Sequence, residues 1–325
     1  MEIITRIINV ILAVVFGCGG VIGIFYLANY CIARLPKPWN HNLLPWVYIS
    51  PAMLILSAYL ILPTIQTFYL SFFDGRSQNF VGWKNYLFAF TDKSMLMAFR
   101  NNLLWLVLVT GISVSLGLII AVLVDKISYE PIVKSLIFLP MAISFVGASV
   151  IWRFIYAYRP LGDEQIGLLN AIIVSLGFEP VGWLVERSVN NFALIIIMIW
   201  LYTGFAMVIL SAAIKGIPQD IVEAARIDGA NSWQIFWRIT IPMIRSTILV
   251  VSTTIIILVL KIFDIVFVMT GGNNGTEVIA SRMIKEMFNY RNFGRGSAIA
   301  IILLLLIIPV MISNIRRFQT QEKLR

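Results

Sequence analysis

Charge is scarce in this chain of 325 residues. Asp, Glu, Lys and Arg make up 13% of it, where a soluble globular domain carries about 25%. That poverty excludes an ordinary soluble protein. Histidine is nearly absent too: His41 stands alone, in a polar stretch, which leaves no basis for His-ligated metal or His-based acid/base catalysis. The two cysteines, Cys18 and Cys31, fall in one apolar run without CxxC spacing, so they supply neither a disulfide framework nor a metal site. There is no HExxH, and no GxxxxGK[ST] phosphate-binding loop, so the chain cannot hydrolyse ATP itself. No basic stripe with interleaved aromatics would track nucleic acid, although the formal net charge is +9.

What is present is apolar. Hydrophobic residues make up 59% of the chain and the mean hydropathy is +0.89, which describes an all-α polytopic membrane protein. Its basic residues cluster in loops and at span ends, where they orient helices and meet anionic lipid. The run from Ile7 to Ile32 exceeds the roughly 20 residues a crossing needs. It lacks the short apolar core and small-residue cleavage site of a signal peptide, and reads as a retained first span. Residues 34–45, with Pro36, Pro38 and Pro45, read as a loop. Further spans are expected at 46–70, 102–124, 135–158, 192–214, 246–268 and 297–315, making seven. Lys and Arg are only modestly denser on the side of the C-terminal tail, which favours that side as inside.

One segment between spans is punctuated as two short helices: Pro218 to Pro242, PQDIVEAARIDGANSWQIFWRITIP. Pro218 suits a first helical turn, Asp220 and Glu223 put negative charge at the positive end of the dipole, and Gly229 supplies a left-handed stop. Asn231 or Ser232 then caps a second helix through Trp233 and Trp237, and Pro242 restarts the chain toward the next span. The first helix shows Ile221, Val222, Ala224, Ala225 and Ile227 between its charges. Such a helix either lies in a partner's groove or rests on lipid headgroups. Within the sixth span Lys261 and Asp264 are three apart, hence on one helix face. They form either a pathway pair, the basis of an alternative reading as an ion-coupled secondary transporter, or a structural pair.

EAARIDGA followed by WQIFWRITIP resembles the EAA loop of permease subunits in binding-protein-dependent ATP-binding-cassette importers: Glu-Ala-Ala, three residues, Gly, and a distant hydrophobic residue and Pro. Glu223, Ala224, Ala225, Gly229, Ile241 and Pro242 match it. FVGWKNY at 80–86, IFLPMAISFVGASVIWRF at 137–154 and MTGGNNGTE at 269–277 are similar to the carbohydrate branch, within it to α-glucoside and glucosylglycerol-type permeases. The resemblance implies a type I importer permease domain at 46–318, preceded by an extra N-terminal helix and Pro-rich loop at 1–45 and followed by a cytoplasmic tail at 319–325. It implies a non-catalytic subunit in a bacterial inner membrane. Its implied partners are a second homologous permease, two ATPase subunits that bind the ATP and Mg, and an extracytoplasmic binding protein that meets loops including Gly271 and Gly272. Glu223, Ala224, Ala225, Arg226, Asp228 and Gly229 would form the coupling helix in an ATPase cleft, with Glu223 pairing to a basic group there.

For the sugar path, the resemblance points to three helices, carried over as Met141 and Phe145, then Met198, Leu201, Tyr202 and Phe205, then Val259 and Ile262. This set is poor in polar groups for a sugar. Either the second permease holds most of the sugar, or neighbours such as Ser144, Ser149, Thr203, Lys261 and Asp264 supply hydrogen bonds. Tyr202 is the best single candidate, because its mid-span hydroxyl needs a partner.

Overall fold

The computed structural model describes residues 2–34, 36–125 and 127–322. Lys126, Lys323 and Arg325 lie outside the described residues, as do the side chains of Cys18, His41 and Arg317. The chain divides into two compact units, 1–66 and 67–325. Among the described residues six helices are long and apolar enough to cross a membrane, or seven if one sharply bent pair counts as a span.

In the first unit α1 (Glu2–Ala33) is followed by α2 (Lys37–Leu56), with Phe25 stacked on Tyr48 at 5.4 Å between ring centres. The proline-rich loop expected over 34–45 is therefore mostly helix. Pro36 is extended at the N-cap and Pro38 occupies the first turn, where a missing N–H breaks no hydrogen bond. Pro45 and Pro51 lie inside α2, which a membrane helix tolerates. A π-helical turn, Ser57–Ile61, precedes α3 (Leu62–Leu70) and widens the helix where Pro63 would otherwise collide with a carbonyl one turn back.

The second unit opens on a turn in which the Asp74 carboxylate accepts from the backbone N–H of Gln78 (2.9 Å) and the amide of Asn79 (2.8 Å), which holds its carboxyl below the usual carboxylate range. After α4 (Lys84–Thr91), Asp92 caps α5 (Lys93–Val124) by accepting from the N–H groups of Ser94 and Met95. The cap starts this helix at Lys93, earlier than the Asn102 expected from hydropathy.

The expected fourth span is broken. Between α6 (Glu130–Phe138) and α7 (Phe145–Ile155), a 3-10 turn over Leu139–Ala142 and two extended residues turn the chain by 101°. Pro140 cannot donate to a continuing helix, and the Ser144 hydroxyl accepts from the Gly147 N–H (3.1 Å) to cap the new one. A further helix, α8 (Leu168–Ser175), lies in the expected outer loop.

At the centre of this unit is α9 (Asn190–Lys215), most of whose side chains are buried. Between helices in a bilayer the hydrophobic effect contributes little, and close packing of small residues takes its place. Gly117 of α5 lets that helix approach Ala206 and Met207, and Gly204 lets the end of α6 approach at Ile137 and Phe138.

Beyond α9 come α10 (Gln219–Ile227), α11 (Ser232–Ile235), a π-helical turn over Phe236–Thr240 and α12 (Ile241–Leu260). Pro242 does not restart the chain. The widened turn before it accommodates the proline, and one helix runs from Ser232 to Leu260. That helix ends sooner than the span expected to Val268. Lys261 is its cap, Phe263 leaves helical geometry with φ −136°, and α13 (Asp264–Met269) starts afresh. The Gly-rich loop then leads to α14 (Ile279–Ile284), a π-helical turn over Lys285–Asn289 and α15 (Phe293–Glu322), with Pro309 inside it.

Candidate functional site

The EAA segment turns where its glycine and its Asn-Gln pair predict, with Pro218 one place earlier than the expected first turn and Pro242 inside a continuing helix. Pro218 is the N-cap of α10, and Gly229 takes φ +81°. The Ala230 N–H donates to the Ala225 carbonyl (2.9 Å) and the Gly229 N–H to that of Arg226 (3.0 Å), the paired bonds of a Schellman stop. A capping box starts the next helix: the Asn231 side chain accepts from the Gln234 N–H and the Gln234 side chain from the Asn231 N–H, both at 2.9 Å. Two satisfied helix ends back to back thus fix a sharp corner.

What the corner presents is exposed. Glu223, Ala224, Arg226, Asp228 and Gly229 all face outward, and Ile227 is 86% exposed. Ala225 and Val222 turn partly inward, above a cavity of about 600 Å³ whose lining includes Glu223, Arg226, Asp125 and Lys215. An amphipathic, alanine-bearing helix bounded by Pro218 and Gly229 and this exposed is suited to docking against another surface.

A second cleft, of about 380 Å³, lies at the 101° break. Met141, Ser144, Phe145, Tyr202 and Asp264 line it together, with Ile143 and Val146, which sequence reasoning missed. The rings of Phe145 and Tyr202 are 6.2 Å apart, and Phe205 meets Tyr202 edge-on at 6.3 Å. Among the described residues no protein group bonds the Tyr202 hydroxyl. The cleft is thus lined by the partly buried Phe145 ring and the largely buried Tyr202 ring, beside the Asp264 carboxylate and the Ser144 and Tyr202 hydroxyls.

The other candidates lie elsewhere. Met198, Leu201, Val259 and Ile262 are core residues, and the Ser149 and Thr203 hydroxyls donate to their own helices at Phe145 and Ile199. Lys261 is exposed and stands outside the cleft lining, and because the helix breaks between them no ion pair joins it to Asp264 among the described residues. The shared helix face inferred from their spacing is absent.

The Gly-rich loop is held by groups that the sequence reading did not single out. Asn101 donates to the carbonyls of Gly275 (2.7 Å) and Glu277 (2.8 Å), Asn191 to Gly275 (3.2 Å) and Asn190 to Asn274 (2.8 Å). Asn102 accepts from the Ile279 N–H (2.8 Å), and Trp105 donates to Asn191 (3.3 Å). The Asn-Asn doublets, within α5 and at the start of α9, were the available signal. Gly271, Gly272 and Gly275 all have positive φ, and a side chain on Gly272 would meet the Glu277 carboxylate, itself paired to Lys285 at 2.5 Å. Asn101→Ala is expected to leave the buried Glu277 carbonyl unpaired and to destabilise the protein by about 1–3 kcal/mol. Thermal unfolding in detergent measures this, and an unchanged midpoint counts against the clamp.

Known proteins share this construction. Residues 113–316 match the family described as the binding-protein-dependent transport system inner membrane component. The osmoprotective compounds uptake permease protein GgtC of Synechocystis sp. is 84% identical over 279 residues, covering 86% of this chain and all of that one. The alpha-glucoside transport system permease protein AglF of Rhizobium meliloti is 50% identical over 309 residues, covering 95% and 90%. Among solved structures, a bacterial ABC transporter involved in import of the acidic polysaccharide alginate superposes with a TM-score of 0.73 at 21% identity, covering 86% of this chain and 98% of that one, which is a likeness of fold. With the exposed EAA corner and the buried glycine-packed helices, these matches establish that this chain belongs to the binding-protein-dependent transport family, as the membrane-spanning permease subunit of an ABC importer.

Proposed function

We propose that the chain carries an α-glucoside, glucosylglycerol or a related di- or oligosaccharide across a bacterial inner membrane. The alpha-glucoside in the name of the Rhizobium meliloti relative supports the substrate class. Residues 46–318 would form the transport domain, 1–45 an additional anchor and 319–325 a cytoplasmic tail. A second, non-identical permease would complete the path, and two ATPase subunits would bind ATP and Mg.

The observation that carries this reading is the hydrogen-bonded, outward-facing corner at Gly229. Glu223, Ala224, Ala225, Arg226, Asp228 and Gly229 would enter an ATPase cleft, so that closure of the ATPase pair around ATP displaces α10. An extracytoplasmic binding protein would deliver sugar at the face carrying Gly271 and Gly272. The sugar would then pass the cleft of Met141, Ser144, Phe145, Tyr202 and Asp264, with the second permease supplying the facing half.

Affinity purification of the tagged chain in mild detergent tests the assembly, and uptake by the reconstituted complex tests the cargo. Recovery of an ATPase and a second EAA-bearing chain, with ATP-dependent uptake of glucosylglycerol or maltose, is the expected result. Recovery of this chain alone, with uptake driven by an ion gradient, overturns it. Within the cleft, Tyr202→Ala is expected to raise the uptake KM about tenfold, from loss of a stacking face and a hydroxyl, and Tyr202→Phe less. Equal kinetics in all three proteins would remove Tyr202 from the path.

A further inference from the structure

A cluster of four charged groups joins three helices beside the EAA corner. Lys134 of α6 donates to Asp125 at the end of α5 (2.8 Å), to Glu130 at the start of its own helix (2.5 Å) and to the Ser211 hydroxyl of α9. The Ser211 hydroxyl donates in turn to Asp125 (2.6 Å). Lys215, the last residue of α9, donates to both oxygens of Glu130, at 2.5 and 2.7 Å. All three protons of the Lys134 ammonium are thereby used, and two carboxylates balance two ammoniums. The side chains of Lys134, Asp125 and Glu130 are each less than one-fifth exposed, and that of Lys215 is about half exposed.

Its place in the chain gives it a mechanical meaning. From Lys215 only Gly216, Ile217 and Pro218 separate the cluster from α10. From Glu130 and Lys134, α6 runs as a rod of about 13 Å to the broken turn that carries Met141 and Ser144. At its far end this rod packs on the bare backbone of Gly204, so α6 is fastened to α9 at both ends. Asp125 and Lys215 also line the cavity beneath α10 together with Glu223 and Arg226.

We propose that Lys134, with Asp125, Glu130 and Lys215, is the positioning cluster that makes α6 move as one body with α9, so that displacement of α10 reaches the cleft at the 101° break. The inference rests on the importer reading above. Without the cluster α6 loses its polar fastening at the end near α10, keeps only its packing on α9, and can pivot about the close contact at Gly204. ATP hydrolysis then continues while the cleft no longer follows it.

The test uses the whole complex in proteoliposomes, with the second permease, the ATPase subunits and the binding protein. Radiolabelled glucosylglycerol uptake and ATP hydrolysis are measured together. In Lys134→Met the sugar carried per ATP hydrolysed is expected to fall about tenfold, with ATPase stimulation by the loaded binding protein kept within about twofold, and Lys134→Arg is expected to restore the ratio. Lys215→Met, at a half-exposed position that assembly tolerates better, is expected to give a smaller fall in the same direction. An unchanged ratio in both Met variants overturns the proposal, and so does a parallel loss of uptake and hydrolysis in both, which is what a merely structural role would give. A wild-type complex whose hydrolysis is not tied to sugar uptake overturns the importer reading itself, and the inference with it.

Discussion

Gly229→Asp is expected to cut sugar uptake at least about tenfold while leaving the chain inserted at its normal level. Two magnitudes separate here. Gly229 sits at φ +81° with no atom within 4 Å of where a Cβ would stand, so a side chain meets no obstacle inside the protein. Its folding cost is the left-handed backbone alone, about 1–2 kcal/mol, and aspartate tolerates that region better than most residues. Such a cost does not unfold the second unit. The new carboxylate does, however, project into the open face of the corner, beside Asp228 and opposite whatever docks there. A desolvated, unpartnered charge in that contact costs several kcal/mol, enough to lose the ATPase. Gly229→Asn separates the two effects, since it accepts the same backbone and adds no charge. Uptake near wild type in Gly229→Asn and low uptake in Gly229→Asp, with equal membrane levels by immunoblot, is the expected pattern. Wild-type uptake in Gly229→Asp would remove α10 from coupling.

The corner was legible because every element of it is local. Proline at the N-cap, glycine at the C-terminal stop and an Asn with Gln three residues on each act within one turn of their own position, so the chain alone specifies them. The spans were legible as apolar runs, but not where they break. Pro140 ends its helix because Ser144 is there to cap another, whereas Pro45, Pro51 and Pro242 are absorbed into continuous helices. Proline permits a break, and neighbouring groups decide whether it occurs. The same limit applies to Lys261 and Asp264. Their spacing implies one helix face only if the helix persists, and it ends at Leu260.

The polar clusters were invisible for a different reason. Asn101 and Gly275 are 174 positions apart, and Lys134 and Ser211 are 77 apart, so periodicity along one helix says nothing about either pair. What the sequence did show was their oddity: Asn-Asn doublets, one within α5 and one opening α9, and Glu130 with Lys134 four apart beside a span end. Such groups at a bilayer edge require partners, and only the packing of α5, α6 and α9 names them.

That packing makes Gly204→Val a strongly damaging substitution in the second unit. A Cβ at Gly204 would lie 2.3 Å from the Ile137 carbonyl oxygen and 2.7 Å from the Phe138 Cα. Both are backbone atoms, so no rotamer change relieves the overlap, and α6 must move off α9. Overpacking against side chains costs about 1–3 kcal/mol, and a clash with backbone lies at or above the upper end of that range. Because helices in lipid hold together by close van der Waals contact, the lost approach is not offset by burial elsewhere. The broken turn that carries Met141 and Ser144 hangs on the displaced end of α6, so uptake is expected to fall more than about tenfold, with a thermal midpoint in detergent several degrees below wild type. Gly111→Ala is the matching control. Gly111 lies in α5 with nothing within 4 Å of its potential Cβ, and alanine is the better helix former, so stability is expected to hold or rise slightly. If Gly204→Val melted and transported like Gly111→Ala, the tight α6 and α9 contact would be wrong, and with it the rigid rod between the charged cluster and the cleft.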